Sequence, residues 1–309
     1  MTLRPFLFLL PLCLAFSGHA FSQELTLRPT LQVDDTFELE IIRLREDSRR
    51  PQMNGRSRTP IHVRVLESNP KGLLLEWKQG ATEFDNPEII KNPIAAAASN
   101  AVKDLVLQLE LNPAGQFARL RNEAEVTAKL QTVMESLLTA LGRQIPDANQ
   151  RQQVESLVRR LMSPPVLLAS ATRDAQTYFA LNGATVDKEK PFTADLQQPS
   201  PFGGGAIPAR FRLTLDSLDA HSASLATTTT YDPQAVARFS AQLLAQAAPA
   251  SAQSAAKPPA LHIEDSAAYT YNRAFGLMSD VVVRRRVSAS GALNALDGWD
   301  IRLTRRPGQ

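Results

Sequence analysis

Three times in this chain an alternating apolar run stops at a short turn that opens on Asn and closes on Gly, then resumes. Ile61, Val63 and Val65 alternate with His62 and Arg64, Asn69-Pro70-Lys71-Gly72 follows, and Leu73, Leu75 and Trp77 continue beyond it. Leu105, Leu107, Leu109 and Leu111 lead into Asn112-Pro113-Ala114-Gly115, with Phe117 and Leu120 after it. Near the C-terminus the run from His262 to Tyr271 meets Asn272-Arg273-Ala274-Phe275-Gly276, and the run from Leu277 to Val287 returns. Period-two alternation places one face of a strand in a core and the other in water. Pro at the second turn position and Gly at the fourth suit a tight reversal. The pattern predicts β-hairpins, and so an antiparallel sheet. The spacing of the three is too irregular for a solenoid repeat. Further strands are expected from Phe37 to Leu44, Phe192 to Leu196, Phe211 to Leu215, Ser222 to Tyr231 and Trp299 to Thr304.

Helices are expected in the middle of the chain. Asn122 with Glu125 makes a capping-box signature, and Val126, Leu130, Val133, Met134, Leu137, Leu138 and Leu141 recur at helical spacing up to Gly142. Asp147 with Gln150 opens a second helix, and Ser163-Pro164 a third, over Val166 to Ala171. Asp232-Pro233 starts a fourth that carries Val236, Phe239, Leu243 and Leu244. Each stripe must be buried against a sheet or another helix. It forms either packed core or the lining of an apolar cavity, which periodicity cannot distinguish. Residues 245–259 are Ala, Ser, Gln and Pro and read as a flexible loop.

Strands before and after the helices predict the α+β class. The expected architecture is a curved, mostly antiparallel sheet, with a half-open barrel as one form of it. A helical insertion over about 122–174 packs on one face. Residues 21–309 are expected to form a single domain.

The first twenty residues read as a secretory signal peptide: Arg4, an apolar run from Phe6 to Phe16, then small residues Gly18 and Ala20 at the cleavage positions. The run is too short for an ordinary anchor. A periplasmic or secreted protein that is not integral to the membrane is the expectation. Cys13 is the one cysteine, and it leaves with the signal. The mature chain then has no disulfide, thiolate metal site or cysteine nucleophile, and its core must hold it alone. The 34 Lys and Arg against 31 Asp and Glu make no electrostatic case for nucleic acid.

No motif points to catalysis. His62, His221 and His262 lack metal-ligand spacing, and there is neither H-E-x-x-H nor G-x-S-x-G. No catalytic residue, metal or cofactor is expected. Gly203-Gly204-Gly205, between Pro201 and Pro208, reads as a backbone-permissive strap rather than a phosphate loop. Asp34, Asp35, Glu38 and Glu40 read as a solvated strand face. The stretch from Arg45 to Thr59 reads as a long polar hairpin loop. With Arg43 it holds Arg45, Arg49, Arg50, Arg56 and Arg58, and no lysine. Arginine forks pair well with phosphate and carboxylate, so Arg45, Arg49, Arg50, Arg56 and Arg58 are the candidate contacts to an anion or the envelope. The competing reading is a solvated loop. Arg284-Arg285-Arg286 reads as an exposed strand end.

Several segments resemble uncharacterised exported bacterial proteins that contain a domain of unknown function. They are Arg43-Leu44-Arg45, the hairpin Lys71-Gly72-Leu73-Leu74-Leu75-Glu76-Trp77, Pro201-Phe202-Gly203-Gly204 with Ile207-Pro208, and Tyr271-Asn272-Arg273-Ala274-Phe275-Gly276-Leu277. A looser similarity at the level of fold is to periplasmic carriers that hold lipoproteins or lipids in an open barrel under helices. Export, the amphipathic helices and the expected curved sheet point to a non-enzymatic binding or carrier-like protein for an apolar ligand, with a lipid or envelope protein as partner. A structural or interaction protein of the envelope, or a hydrolase, remains the alternative.

Overall fold

The computed structural model describes residues 24–91, 99, 103, 105–143, 145–199, 206–247, 261–289 and 293–308. The signal segment, the glycines 203–205 and residues 248–260 of the Ala/Ser/Gln/Pro stretch lie outside them. Fourteen described strands carry the fold. β1 (Glu24–Thr26) and β8 (Thr185–Asp187) pair with each other. The rest belong to one antiparallel sheet: β2 (Thr36–Asp47), β3 (Gly55–Asn69), β4 (Gly72–Gln79), β5 (Glu83–Phe84), β6 (Val106–Leu111), β7 (Phe117–Leu120), β9 (Phe192–Pro199), β10 (Ala206–Leu218), β11 (Ser222–Tyr231), β12 (Leu261–Asn272), β13 (Leu277–Ala289) and β14 (Leu293–Arg305). Their order is β7-β6-β4-β3-β2-β14-β13-β12-β11-β10-β9, with β5 added on β3. Neighbours follow one another along the chain as hairpins except at β4–β6, where β5 and a short helix intervene, at β11–β12, where a longer helix intervenes, and at β2–β14, which joins the first long strand to the last. The sheet is open, with β7 and β9 at its edges.

The helices are α1 (Pro87–Lys91), α2 (Glu123–Gly142), α3 (Ala148–Leu161), α4 (Pro164–Tyr178) and α5 (Pro233–Ala247). Asp147 Oδ1 accepts from Gln150 N at 2.7 Å and Asp232 Oδ1 from Gln234 N at 2.7 Å, the N-caps that the sequence predicts. Asn122 behaves differently. Its side chain does not cap α2. It docks on the edge of β6, where Oδ1 accepts from Gln108 N at 2.9 Å and Nδ2 donates to the Val106 carbonyl at 3.1 Å. An unpaired strand edge has a stronger need for these bonds than a solvated helix end. α4, expected over Val166 to Ala171, runs on to Tyr178.

The sheet curls around α4. Tyr178 Oη donates to the Met278 carbonyl of β13 at 2.8 Å, while its ring lies 6.4 Å from that of Trp77 on β4. In a flat sheet those strands are four spacings apart, about 19 Å. Bulges in β3, β10, β13 and β14 supply the bend. Trp77, Tyr178 and Phe179 form an edge-to-face cluster, each at most 2% exposed. With Phe37, Val63, Leu109, Val126 and Leu130 they fill the space beneath the helical insertion.

The three sequence-defined hairpins hold, and their turns gather at one end of the sheet. The N-terminal segment crosses that end: Thr30 N donates to Phe275 O, Ser68 Oγ to Leu31 O, and Asp34 N to Val65 O. Tyr271 Oη accepts from Arg28 N and donates to Arg28 O. Gly276 has φ +65°, and a Cβ there would lie 2.0 Å from the Arg28 carbonyl oxygen. It is therefore fixed both by the turn and by the crossing segment.

One expectation is corrected. The stretch from Arg45 to Thr59 is mostly strand, because β2 runs to Asp47 and β3 starts at Gly55. Cross-strand charge pairs such as Arg58 Nε to Glu40 at 3.2 Å hold it in the ladder. The Gly203–Gly205 segment, read as a strap, lies outside the described residues; on either side of it Pro199 ends β9 and Ala206 pairs opposite it in β10. Pro208 sits within β10, where its carbonyl accepts from Asp232 N.

Candidate functional site on the concave face

Alternation assigns every strand residue to a face, and the register aligns the inner residues into rows across the sheet. Leu215, Leu225, Tyr269, Val281, Ile301 and Ile41 form one such row. All are buried under the helical insertion. Two steps farther along the strands come Leu213, Thr227, Ala267, Val283, Trp299 and Arg43, and edge residue Phe192 continues this row on β9. The next row is Phe211, Thr229, Asp265, Arg285, Asp297 and Arg45. Beyond it a second apolar cluster, with Ala209, Tyr231, Ile263 and Val287, lies under Val236 of α5.

The middle rows therefore form a band between two covered regions. Its apolar members Phe211, Ala267, Val283 and Trp299 are only half-buried, and Phe192 is 54% exposed. Phe192 and Phe211 meet edge to face at 6.4 Å. Leu167, Leu168 and Ala171 of α4 pack on the same core. Trp299 Nε1 is buried and has no hydrogen-bond partner among the described residues.

The polar members carry alternating charge: Asp265, Arg285, Asp297 and Arg45 lie on four successive strands. Arg285 holds Asp265 with two bonds, 2.7 Å from Nε to Oδ1 and 2.5 Å from Nη2 to Oδ2. Tyr231 Oη donates to Asp265 Oδ2 at 2.6 Å. Burial and then this carboxylate push the Tyr231 hydroxyl up to about 12. The bond to Asp265 raises the Arg285 guanidinium pKa. Arg43 at the far end pairs with Asp174 of α4 at 2.7 Å, which ties the helix to the band. The pattern can hold an apolar body on the shelf and a polar group along the charged row. It offers no nucleophile–base pair.

The five sequence-selected arginines divide into two groups. Arg45, Arg49 and Arg50 come together at the β2–β3 tip around buried Asp47, whose Oδ1 accepts from Arg49 N at 2.9 Å and whose Oδ2 accepts from Arg50 Nε at 3.2 Å. The Arg49 amide and then the Arg50 side chain hold Asp47 below the usual carboxylate range, against its own desolvation. Arg56 and Arg58 lie on the opposite, convex face. There they line a 560 Å³ pocket with Arg284, Arg302, Glu83 and Asp300 over Ile42 and Leu44. The triplet Arg284-Arg285-Arg286 is split in the same way by alternation: Arg284 is outside, paired with Asp300 at 2.5 Å, and Arg285 is inside. Sequence reading did not single out Trp299, Asp265 or Arg285 for the concave band. Only the strand register aligns them.

Among the described residues no three His, Cys, Asp or Glu side chains gather as a metal-binding group. No described helix is long and apolar enough to cross a membrane. No protein-family model matches the sequence, and no characterised protein matches it. Among solved structures, the chain is similar to one of lipid–protein interactions in lipovitellin, at 8% identity and a TM-score of 0.42. The match covers 88% of this chain and 25% of that one, so the chain spans about a quarter of that protein's length. A score of this size carries no functional argument.

Proposed function

We propose that this protein is a non-enzymatic, carrier-like binder of an amphipathic acyl molecule with an anionic head, acting in the cell envelope after export. The observation that carries this reading is the half-buried apolar band left between the helical insertion and α5. An acyl chain along Phe211, Ala267, Val283 and Trp299 would shield surface that the protein's own helices leave partly wet, at about 0.8 kcal/mol per buried methylene. Arg45, exposed at the β2 end of the band, supplies a fork for a phosphate or carboxylate head, with Arg49 and Arg50 next to it at the tip. Export on the N-terminal segment supports a compartment in which such lipids occur.

The two tryptophans make the test direct. Trp77 is 2% exposed, so a ligand-dependent change in indole emission reports on Trp299. Titration with a lysophospholipid is expected to shift the emission, and Trp299→Phe to abolish the shift. Val283→Asp is expected to weaken binding at least tenfold. Unchanged emission, together with no lipid co-purifying in native mass spectrometry, would refute the reading. A second reading, an envelope interaction protein with no small-molecule site, is favoured by the filled space under the helical insertion. In that case the tip arginines bind a partner, and crosslinking in cells would recover it reproducibly.

A further inference from the structure

The two edges of the sheet are finished differently. At the β7 end the last strand spans four residues, and the Asn122 side chain occupies the donor and acceptor that β6 would offer to another strand. At the other end β9 spans eight residues, and among the described residues nothing pairs with its outer edge. An open edge is a template for another strand. β9 also carries Phe192, 54% exposed on the concave side. It has no lysine, and Pro199 lies only at its end.

We propose that the β9 edge pairs antiparallel with β9 of a second copy of this chain, about a two-fold axis at Ala194. The side-chain pattern selects this occupant and this register. When the concave faces of both copies lie on one side, the axis must pass through a residue. With the axis at Ala194, Phe192 of each copy lies opposite Leu196 of the other on the concave side. Thr193 then lies opposite Asp195 on the convex side, and a hydroxyl facing a carboxylate is a favourable cross-strand pair. Moving the axis to Asp195 would set two carboxylates opposite each other, which is destabilising. The Ala194 register covers the most exposed aromatic of the strand and joins the two apolar bands into one continuous surface. This inference is independent of the lipid reading.

Sedimentation of the purified full chain over a concentration series tests it. A reversible dimer is expected. Ala194→Lys opposes two like charges at the axis and is expected to weaken the dimer about fivefold or more. Thr193→Lys faces Asp195 of the other copy and is expected to tighten it, whereas Thr193→Glu loosens it. Within one chain Thr193 lies opposite Arg212, so the glutamate does not harm the monomer. A protein that stays monomeric at every concentration would overturn the proposal. So would a dimer that is indifferent to Ala194→Lys, or one on which the two Thr193 variants act in the same direction.

Discussion

Tyr178 shows how much one side chain carries in this fold. It is fully buried, its ring packs on Trp77 and Phe179, and its hydroxyl reaches a carbonyl of a strand on the far side of the curled sheet. Burial raises its pKa. Tyr178→Phe keeps the ring and leaves the Met278 carbonyl without that donor, and is expected to cost about 1–2 kcal/mol in denaturant unfolding. Asp265 is the corresponding residue of the concave band. Asp265→Ala leaves Arg285 without its carboxylate, with only the Tyr231 hydroxyl at 3.3 Å, at a site that is only partly exposed. A loss of about 2 kcal/mol is expected, short of what a fully buried pair costs. Asp219 gives a pH signature. It accepts from the amides of His221 and Ser222 and from the Ser222 hydroxyl, and these bonds hold its pKa below the ordinary 3.8. The unfolded chain therefore binds the proton more readily. The stabilisation is present above about pH 3.8 and is lost as the pH falls through the lower folded value. Asp219→Asn is expected to flatten that part of an acid-unfolding curve.

At the scale of elements, hairpins and helix starts were legible because their signals are local. A turn needs its Asn, Pro and Gly within four or five residues, and a helix stripe repeats within two turns. Where the reading missed, a distant partner decided. Asn122 has the sequence of a cap, but its amide is taken by β6. The arginine stretch has the composition of a loop, but acidic partners on β2 keep it in the ladder. The short β1 and β8 pair across more than 150 residues, and no local pattern marks them. Asn122→Ala leaves Gln108 N and Val106 O unpaired at the sheet edge. It is expected to lower stability by about 1–3 kcal/mol, and Asn122→Asp, which retains the acceptor for Gln108 N, by less. Equilibrium denaturation of the two variants separates an edge role from simple loss of a helix cap.

For the whole molecule, the β2–β14 pairing is the decisive contact, since it joins the first long strand to the last. Deleting residues 293–309 would open the sheet in its middle and expose two long edges, β2 and β13. Such a chain is expected to lose cooperative thermal unfolding by circular dichroism and to aggregate. The amino-acid sequence by itself determined the α+β class, the antiparallel hairpins and the capped helices. These are all written in spacings shorter than about twenty residues. Tertiary structure alone decided which hairpins are neighbours, which way the sheet curls, and which side chains share a row. The reason is that register acts between strands: one residue of slip moves every side chain to the other face. Hence the five arginines chosen as one group are divided between a hairpin tip and the convex face. The concave band, by contrast, is assembled from Phe211, Ala267, Val283 and Trp299, residues on four strands that no sequence motif connects. Even the turn glycine at 276, legible as a turn, owes part of its necessity to a chain segment nearly 250 residues away, whose carbonyl fills the place of its missing Cβ.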